Sequence, residues 1–137
     1  TFGHFDIFVN NTLLKFPRQK CKELLAFFVD RRGGAVTAEQ IIDSLWEERY
    51  DESVKAYFHV VLRDLKKTLK QAGIESLLIC NRNQNAINPA MLDCDYYRFL
   101  EGDISAIQEF NDEYLADYSW AEPTVATLMH KKNKFVQ

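Results

Sequence analysis

Basic side chains recur along one stretch of the sequence at intervals of three and four residues. Between residues 53 and 70, five Lys or Arg residues face a single acid, Asp64, which leaves a local charge of +4. Side chains with such spacing share one face of a helix, and they are Lys55, His59, Arg63, Lys66 and Lys70. Lys and Arg at this density can neutralise phosphates or reach guanine edges. Nucleic-acid binding is therefore one interpretation, and an ordinary solvated helix face is the other.

The sequence contains none of the common catalytic or metal-binding motifs. Its three histidines do not form an HExxH pair, and there is no GxSxG motif, Walker loop or glycine-rich dinucleotide turn. The three cysteines, Cys21, Cys80 and Cys94, form no CxxC pair, which argues against a zinc site or a disulfide scaffold and favours a reducing cytosol. We therefore expect a cytoplasmic chain that is not an enzyme and uses no metal or cofactor.

Length and charge narrow the class of protein further. The chain has 137 residues, and no apolar run approaches the roughly 20 residues that a membrane helix needs. It lacks an initiator methionine, so we expect a fragment of a longer protein. Residues 1–92 hold 13 Lys or Arg against 11 Asp or Glu, whereas residues 93–137 hold 4 against 9. The acidic balance therefore belongs to the C-terminal part.

The first third of the chain predicts a hairpin and a helix. Residues 2–9 alternate, with the odd-numbered positions more uniformly apolar, as in a strand that buries one face. Asn10-Asn11 is a turn signal, and residues 13–16 predict a returning strand. A helix is then predicted from Arg18 to Arg31, ended by the glycines that follow.

Two further helices and a second hairpin follow. Thr37 and Gln40 have the spacing of a capping box, which predicts a helix over 38–47 that ends near Trp46. An acidic loop, 47–52, leads to a third helix from Ser53 to about Ala72. Its apolar stripe comprises Val54, Phe58, Val61, Leu62, Leu65 and Leu69. Short apolar runs on either side of residues 82–85 then predict the second hairpin.

Residues 93–137 predict a small helical appendage with an aromatic core. Apolar clusters indicate short helices near residues 96–100 and 104–110, and Ser119 with Glu122 has capping-box spacing before a last helix. The fold class is therefore α+β: a winged helix-turn-helix over residues 1–92, with an N-terminal hairpin and a C-terminal wing hairpin, followed by the helical appendage over 93–137.

Several ordered motifs resemble a known family. Residues 18–25, 33–46 and 56–69 are similar to the winged-helix output domain of the OmpR/PhoB type. The segment 65–69, Leu-Lys-Lys-Thr-Leu, keeps the shape in which that family's recognition helix ends. The resemblance covers residues 1–92 and implies a DNA-binding domain of a response-regulator or related transcription factor, as in two-component systems. This chain has Asp64 where the family often has a basic residue.

The C-terminal part extends the resemblance. Residues 95–103 and 113–122 look like the start of the helical, TPR-like transcriptional-activation domain that follows the winged helix in SARP-type activators. The resemblance implies double-stranded DNA as partner, RNA polymerase as a second partner, and binding of direct repeats as a homodimer. A membrane is not an expected partner.

The resemblance also implies roles for individual residues. The exposed side of the third helix would face DNA, the wing would reach an adjacent groove or phosphate, and the starts of the first two helices would contact phosphates. The residues concerned are Lys55, His59, Arg63, Lys66 and Lys67 on the third helix, Arg82 on the wing, and Lys20, Lys22 and Thr37 at the helix starts. His59 could equally be a solvated histidine, and Tyr57 is predicted to lie half-buried against the wing.

A protein-interaction module is the alternative function. That module would expose apolar residues on the third helix, where this sequence has Lys, His and Arg. A transcription activator must touch both DNA and polymerase, so both kinds of surface can coexist. The acidic loop 47–52 and the acidic C-terminal part are where we expect a polymerase contact.

Overall fold

The computed structural model describes residues 1–47 and 51–135. The helices and strands follow in the order β1 (Phe8–Val9), β2 (Thr12–Leu13), α1 (Gln19–Asp30), α2 (Ala38–Leu45), α3 (Glu52–Gln71), β3 (Leu78–Asn81), β4 (Gln84–Ile87), α4 (Asp95–Leu100), α5 (Ile104–Glu109) and α6 (Glu122–Phe135). Single 3-10 turns occupy Glu75–Leu77, Pro89–Met91 and Ser119–Ala121. The predicted order of hairpin, three helices, hairpin and helical appendage is confirmed, and the fold class is α+β.

The chain forms two compact units. One consists of Ile7–Met91, and the other joins Thr1–Asp6 to the residues from Leu92 onward. Residues 7–91 hold 13 Lys or Arg against 10 Asp or Glu, a net charge of +3. The second unit holds 4 against 10, a net charge of −6. The first is called the cationic unit below and the second the acidic unit.

The core of the cationic unit lies where α1 packs on α3. The whole predicted apolar stripe of α3 is buried, with Val61, Leu65 and Leu69 fully excluded from solvent. From α1, Leu24, Leu25 and the phenylalanines that follow are equally buried. Contact with α1 is close enough that the Cys21 thiol lies 3.6 Å from the Val61 carbonyl oxygen. The prediction of one apolar and one polar face on α3 is therefore confirmed.

A small antiparallel sheet carries the second hairpin. Strands β3 and β4 pair in register from Leu78 opposite Ile87 to Asn81 opposite Gln84, which leaves a two-residue turn. Val36, just before α2, exchanges two backbone hydrogen bonds with Asn85, of 2.8 and 2.9 Å. The sheet thereby ties the hairpin to the start of α2. The predicted turn over 82–85 is too long, because two of its residues belong to β4.

The starts of α2 and α3 differ in how well they were predicted. Thr37 and Gln40 form the predicted capping box, in which each side chain accepts a hydrogen bond from the other residue's backbone N–H. For α3 the prediction of Ser53 as the first residue is wrong, because Asp51 is the N-cap and accepts from the Val54 N–H. Of the acidic loop 47–52, residues 48–50 lie outside the described part of the chain.

Residues 1–6 correct the predicted first hairpin. The strand pairing is confined to Phe8–Val9 and Thr12–Leu13, and the Leu14 N–H donates one further hydrogen bond of 2.8 Å to the Ile7 carbonyl. Residues 1–6 belong to the acidic unit, where Gly3 exchanges backbone hydrogen bonds with Glu113 and Ala116. The alternation in residues 2–9 signalled one buried face, as Phe5 shows, but a period of two cannot tell which segment supplies the partner.

The core of the acidic unit is aromatic. The ring of Phe2 lies 5.1 Å from that of Phe110 and 6.0 Å from that of Phe99, and both of these partners are fully buried. The Asp95 carboxylate accepts a 2.8 Å hydrogen bond from the Phe2 N–H. The capping box predicted at Ser119 and Glu122 is wrong, because Ser119 lies within a 3-10 turn and α6 begins at Glu122.

We expect Phe2→Ala to destabilise the acidic unit by about 2 kcal/mol, because the truncation leaves a cavity beside two buried rings. Urea denaturation followed by aromatic fluorescence measures this free energy of unfolding. Phe8→Ala is the matched control, because that ring is 64% exposed, and we expect a change of less than about 0.5 kcal/mol there. A change as small as that expected for the control in Phe2→Ala would show that residues 1–6 do not stabilise this core.

Candidate nucleic-acid interface

One side of α3 is left open to solvent by the packing of the other. The helix has 20 residues, which corresponds to a length of about 30 Å. Opposite the buried stripe lie exposed Ala56, His59, Arg63 and Lys67, with Val60 half-buried among them. The predicted cationic face is therefore present. Ala56 and Val60 were missed by sequence reasoning, which selected charged residues, although their helical positions place them between the cations.

The cations of this face differ in how far they are engaged within the chain. Among the described residues, Lys66 and Lys67 are exposed and have no ion-pair partner. Lys55 is half-buried, and its ammonium lies 3.7 Å from the carboxylate of Glu52. His59 is exposed, with its ring 5.3 Å from that of Phe58. The free positive charge of α3 is therefore concentrated in its C-terminal half.

Arg63 shares its neighbour Asp64 with a second arginine. The Arg18 Nε donates a 2.9 Å hydrogen bond to Asp64 Oδ2, and an Arg63 nitrogen lies 3.5 Å from Asp64 Oδ1. The Asp64 side chain is 17% exposed, whereas that of Arg63 is 72% exposed. The hydrogen bond from Arg18, helped by the charge of Arg63, lowers the pKa of Asp64 despite partial burial. The Asp64 carboxylate is thus ionised, and the charges of Arg18 and Arg63 balance it. The exposed face of α3 therefore keeps its positive charge.

Lys20 is engaged at the end of α2. Its ammonium donates a 2.6 Å hydrogen bond to the Leu45 carbonyl and a 2.9 Å bond to Glu23, and it lies 5.0 Å from the centre of the Trp46 ring. A cation at this position satisfies a carbonyl at the helix C-terminus. The phosphate contact predicted for Lys20 stays a prediction, but the structure gives this ammonium three contacts within the cationic unit.

The aromatic residues beside Lys20 pack on one another. Trp46 is half-buried at the end of α2, as expected, with its ring 5.9 Å from that of Tyr57 and 6.3 Å from that of Phe58. Tyr57 was predicted against the wing, and this is wrong: it lies between Trp46 and the guanidinium of Arg18. Because of its position on α3, the Tyr57 side chain lies towards the start of α1.

The two other residues predicted at helix starts lie on α1 and before α2. Lys22 is half-buried in the first turn of α1. The Thr37 hydroxyl already accepts the 3.2 Å capping bond from the Gln40 N–H, so any phosphate contact would use its hydrogen. Both phosphate contacts stay predictions.

The wing turn is anchored close to the start of α2. Arg82 and Asn83 form the turn, and the Asn83 side-chain oxygen accepts a 3.3 Å hydrogen bond from the Ala38 N–H. Arg82 is exposed and adopts φ 55°, in the left-handed region that non-glycine residues rarely occupy. Among the described residues it has no ion-pair partner, so its charge is available to a ligand.

A cleft beside α3 adds a cation that sequence reasoning missed. Its volume is about 440 Å³, and Lys15 and Lys67 line it together with Asp64 and Gln71. Lys15 precedes α1 in a segment without helical spacing, so periodicity gave no signal for it. Within the described residues there is no helix able to cross a membrane and no cluster of His, Cys, Asp or Glu suited to a metal ion.

Comparison with known proteins finds a family match for the segment that contains these features. Residues 18–84 match the family model described as "Transcriptional regulatory protein, C terminal", which is the OmpR/PhoB-type DNA-binding domain. No curated protein matches the chain. The match runs from the start of α1 into the wing, and the order of elements agrees with a winged helix. Residues 18–84 therefore match a winged-helix domain of the OmpR/PhoB type, and this match indicates the DNA-binding domain of a transcription regulator.

Proposed function

We propose that this chain recognises specific DNA sequences by inserting α3 into the major groove and setting the wing on an adjacent groove or phosphate. The exposed cations of α3, opposite a fully buried apolar stripe, are the observation that carries this proposal. A major groove about 12 Å wide admits one α-helix. Because the core buries one face of α3, the opposite face is the one that enters the groove.

Affinity and specificity come from different residues in this proposal. Lys66 and Lys67 neutralise phosphates, which releases counterions and supplies affinity. Arg63 reads a guanine edge, because a guanidinium can donate two parallel hydrogen bonds to O6 and N7. Ala56 and Val60 are small and apolar, so they fit against thymine methyl groups. Lys55, His59, Lys22 and Thr37 flank this set as candidate phosphate contacts.

The chain acts by binding alone in this proposal, in the cytoplasm and without catalysis. Residues 95–103 and 113–122 support the further proposal that the acidic unit begins an activation domain of the SARP type, or of a related response regulator. A second copy on a direct repeat would double the contacts. RNA polymerase is the proposed protein partner.

A module that binds only proteins is the second candidate. It would require a large apolar surface on α3. Within the described residues, Tyr57 is the one large apolar side chain of α3 that is exposed, and its ring packs on Trp46. The composition of the exposed face therefore favours DNA.

The salt dependence of DNA binding tests the α3 interface. We expect Lys66→Ala/Lys67→Ala to lower the slope of log affinity against log salt by about 2, since two phosphate contacts are lost. Fluorescence anisotropy on a mixed-sequence duplex from 50 to 200 mM salt, about the range in which such contacts matter, measures it. Lys131→Ala/Lys134→Ala removes the same charge from exposed positions of α6 and serves as control. No binding by the wild-type chain at low salt would refute the proposed function.

Substitution of Arg82 tests the wing. We expect Arg82→Asn to lower the salt slope by about 1, because asparagine tolerates the left-handed conformation but removes the charge. Arg82→Lys keeps the charge and should keep the slope. If both variants bind as the wild type does, the wing does not touch the duplex.

Charge reversal tests the polymerase contact. Glu47 and Glu52 are exposed on either side of residues 48–50. We expect Glu47→Lys/Glu52→Lys to retain DNA binding and to reduce transcription several-fold from a promoter that carries a selected binding site. Glu75→Lys is the control, since Glu75 is exposed in the 3-10 turn after α3. Unchanged transcription in vitro would contradict a contact at this loop.

A further inference from the structure

The interaction of Arg63 with Asp64 has a consequence for how DNA sequence is read. Arg63 is the exposed arginine of α3, and Asp64 is the acid beside it, partly buried and held by Arg18. An acid on a DNA-facing helix would ordinarily weaken binding, because it repels phosphates. Asp64 therefore does not add affinity, and its contacts indicate a different role.

We propose that Asp64 is a positioning residue that orients Arg63 for base-edge recognition, and that Arg18 in turn fixes Asp64. This inference rests on the proposed function. Asp64 Oδ2 is held at 2.9 Å by the Arg18 Nε, so Oδ1 is directed towards Arg63 at 3.5 Å. Arg18 is itself located by Tyr57, over whose ring its guanidinium lies at 5.9 Å.

The number of donors on Arg63 makes this arrangement compatible with DNA reading. A guanidinium has five N–H donors in a rigid planar fork. The contact with Asp64 uses one Nη2 hydrogen, so the remaining donors can still bind O6 and N7 of a guanine. A free arginine loses rotamer freedom on binding, whereas one already oriented loses less.

Specificity is therefore the property that Asp64 controls. Loss of pre-organisation weakens binding of the correct site by about 2- to 10-fold, the range for immobilising one long side chain. Non-specific binding depends on total positive charge, so removal of the carboxylate leaves it unchanged or strengthens it. The two affinities move apart, and their ratio falls.

The test uses the full chain and a duplex site selected by it from random sequence. Anisotropy at fixed salt gives affinities for this site and for a scrambled duplex, with wild type, Asp64→Asn and Asp64→Glu. We expect the specificity ratio to fall by about 2- to 10-fold in Asp64→Asn and to be partly restored in Asp64→Glu, whose carboxylate can still reach both arginines. Asp43→Asn, at an exposed position of α2, controls for the change in net charge and should leave the ratio unchanged.

A double-mutant cycle separates positioning from a merely structural role. If Asp64 acts through Arg63, then Asp64→Asn has no effect on the ratio in an Arg63→Ala background. If Asp64 only joins α1 to α3, Asp64→Asn lowers the melting temperature and changes both affinities by one factor, which overturns the inference. The proposed function is decided beforehand by the wild-type salt series, so an unchanged ratio in a chain that binds DNA refutes the positioning role alone.

Discussion

The burial of one face of α3 against α1 is the constraint on which the cationic surface depends. Residues along a helix advance by about 100°, so the position of Val61, Leu65 and Leu69 in the core fixes where every other side chain points. A rotation of α3 by one residue would expose apolar side chains and bury the charged Arg63 in a low-dielectric core. Each buried leucine contributes about 2–5 kcal/mol against such a change. The core therefore determines which side chains form the cationic surface, although those side chains are not themselves part of the core.

The elements around α3 are fixed by polar contacts as well as by packing. Lys20 satisfies the C-terminal carbonyl of Leu45 on α2, and Asn83 of the wing satisfies the Ala38 N–H at its other end. The bonds between Val36 and Asn85 tie the same wing to the chain just before α2. Each end of this eight-residue helix is thus held by a side chain from another element. As a result, contacts within the cationic unit fix where the wing lies relative to α2 and α3.

Much of this architecture could be predicted from the sequence, because it depends on local signals. The stripe of α3 and the capping box at Thr37 need only residues three or four apart, and both are confirmed. Two features could not be predicted, because they join residues far apart in the chain: Asp64 with Arg18, and Phe2 with the acidic unit. Spacing identified Asp64 as the one acid among cations, but not the arginine 46 positions earlier that neutralises it. For the same reason it identified Lys20 as a cation without showing that α2 engages it.

The division of charge between the two units bears on which of them can approach DNA. A net charge of +3 over residues 7–91 is carried mainly by side chains that α3 and the wing expose, whereas the acidic unit has a net charge of −6. Phosphates attract the first and repel the second, at distances up to the Debye length of about 8 Å at physiological salt. In the proposed complex, the field that steers α3 towards the duplex therefore disfavours the approach of the acidic unit. In the proposed complex, the specificity of binding then depends on α3, where Arg63 and Asp64 are neighbours, and on the wing.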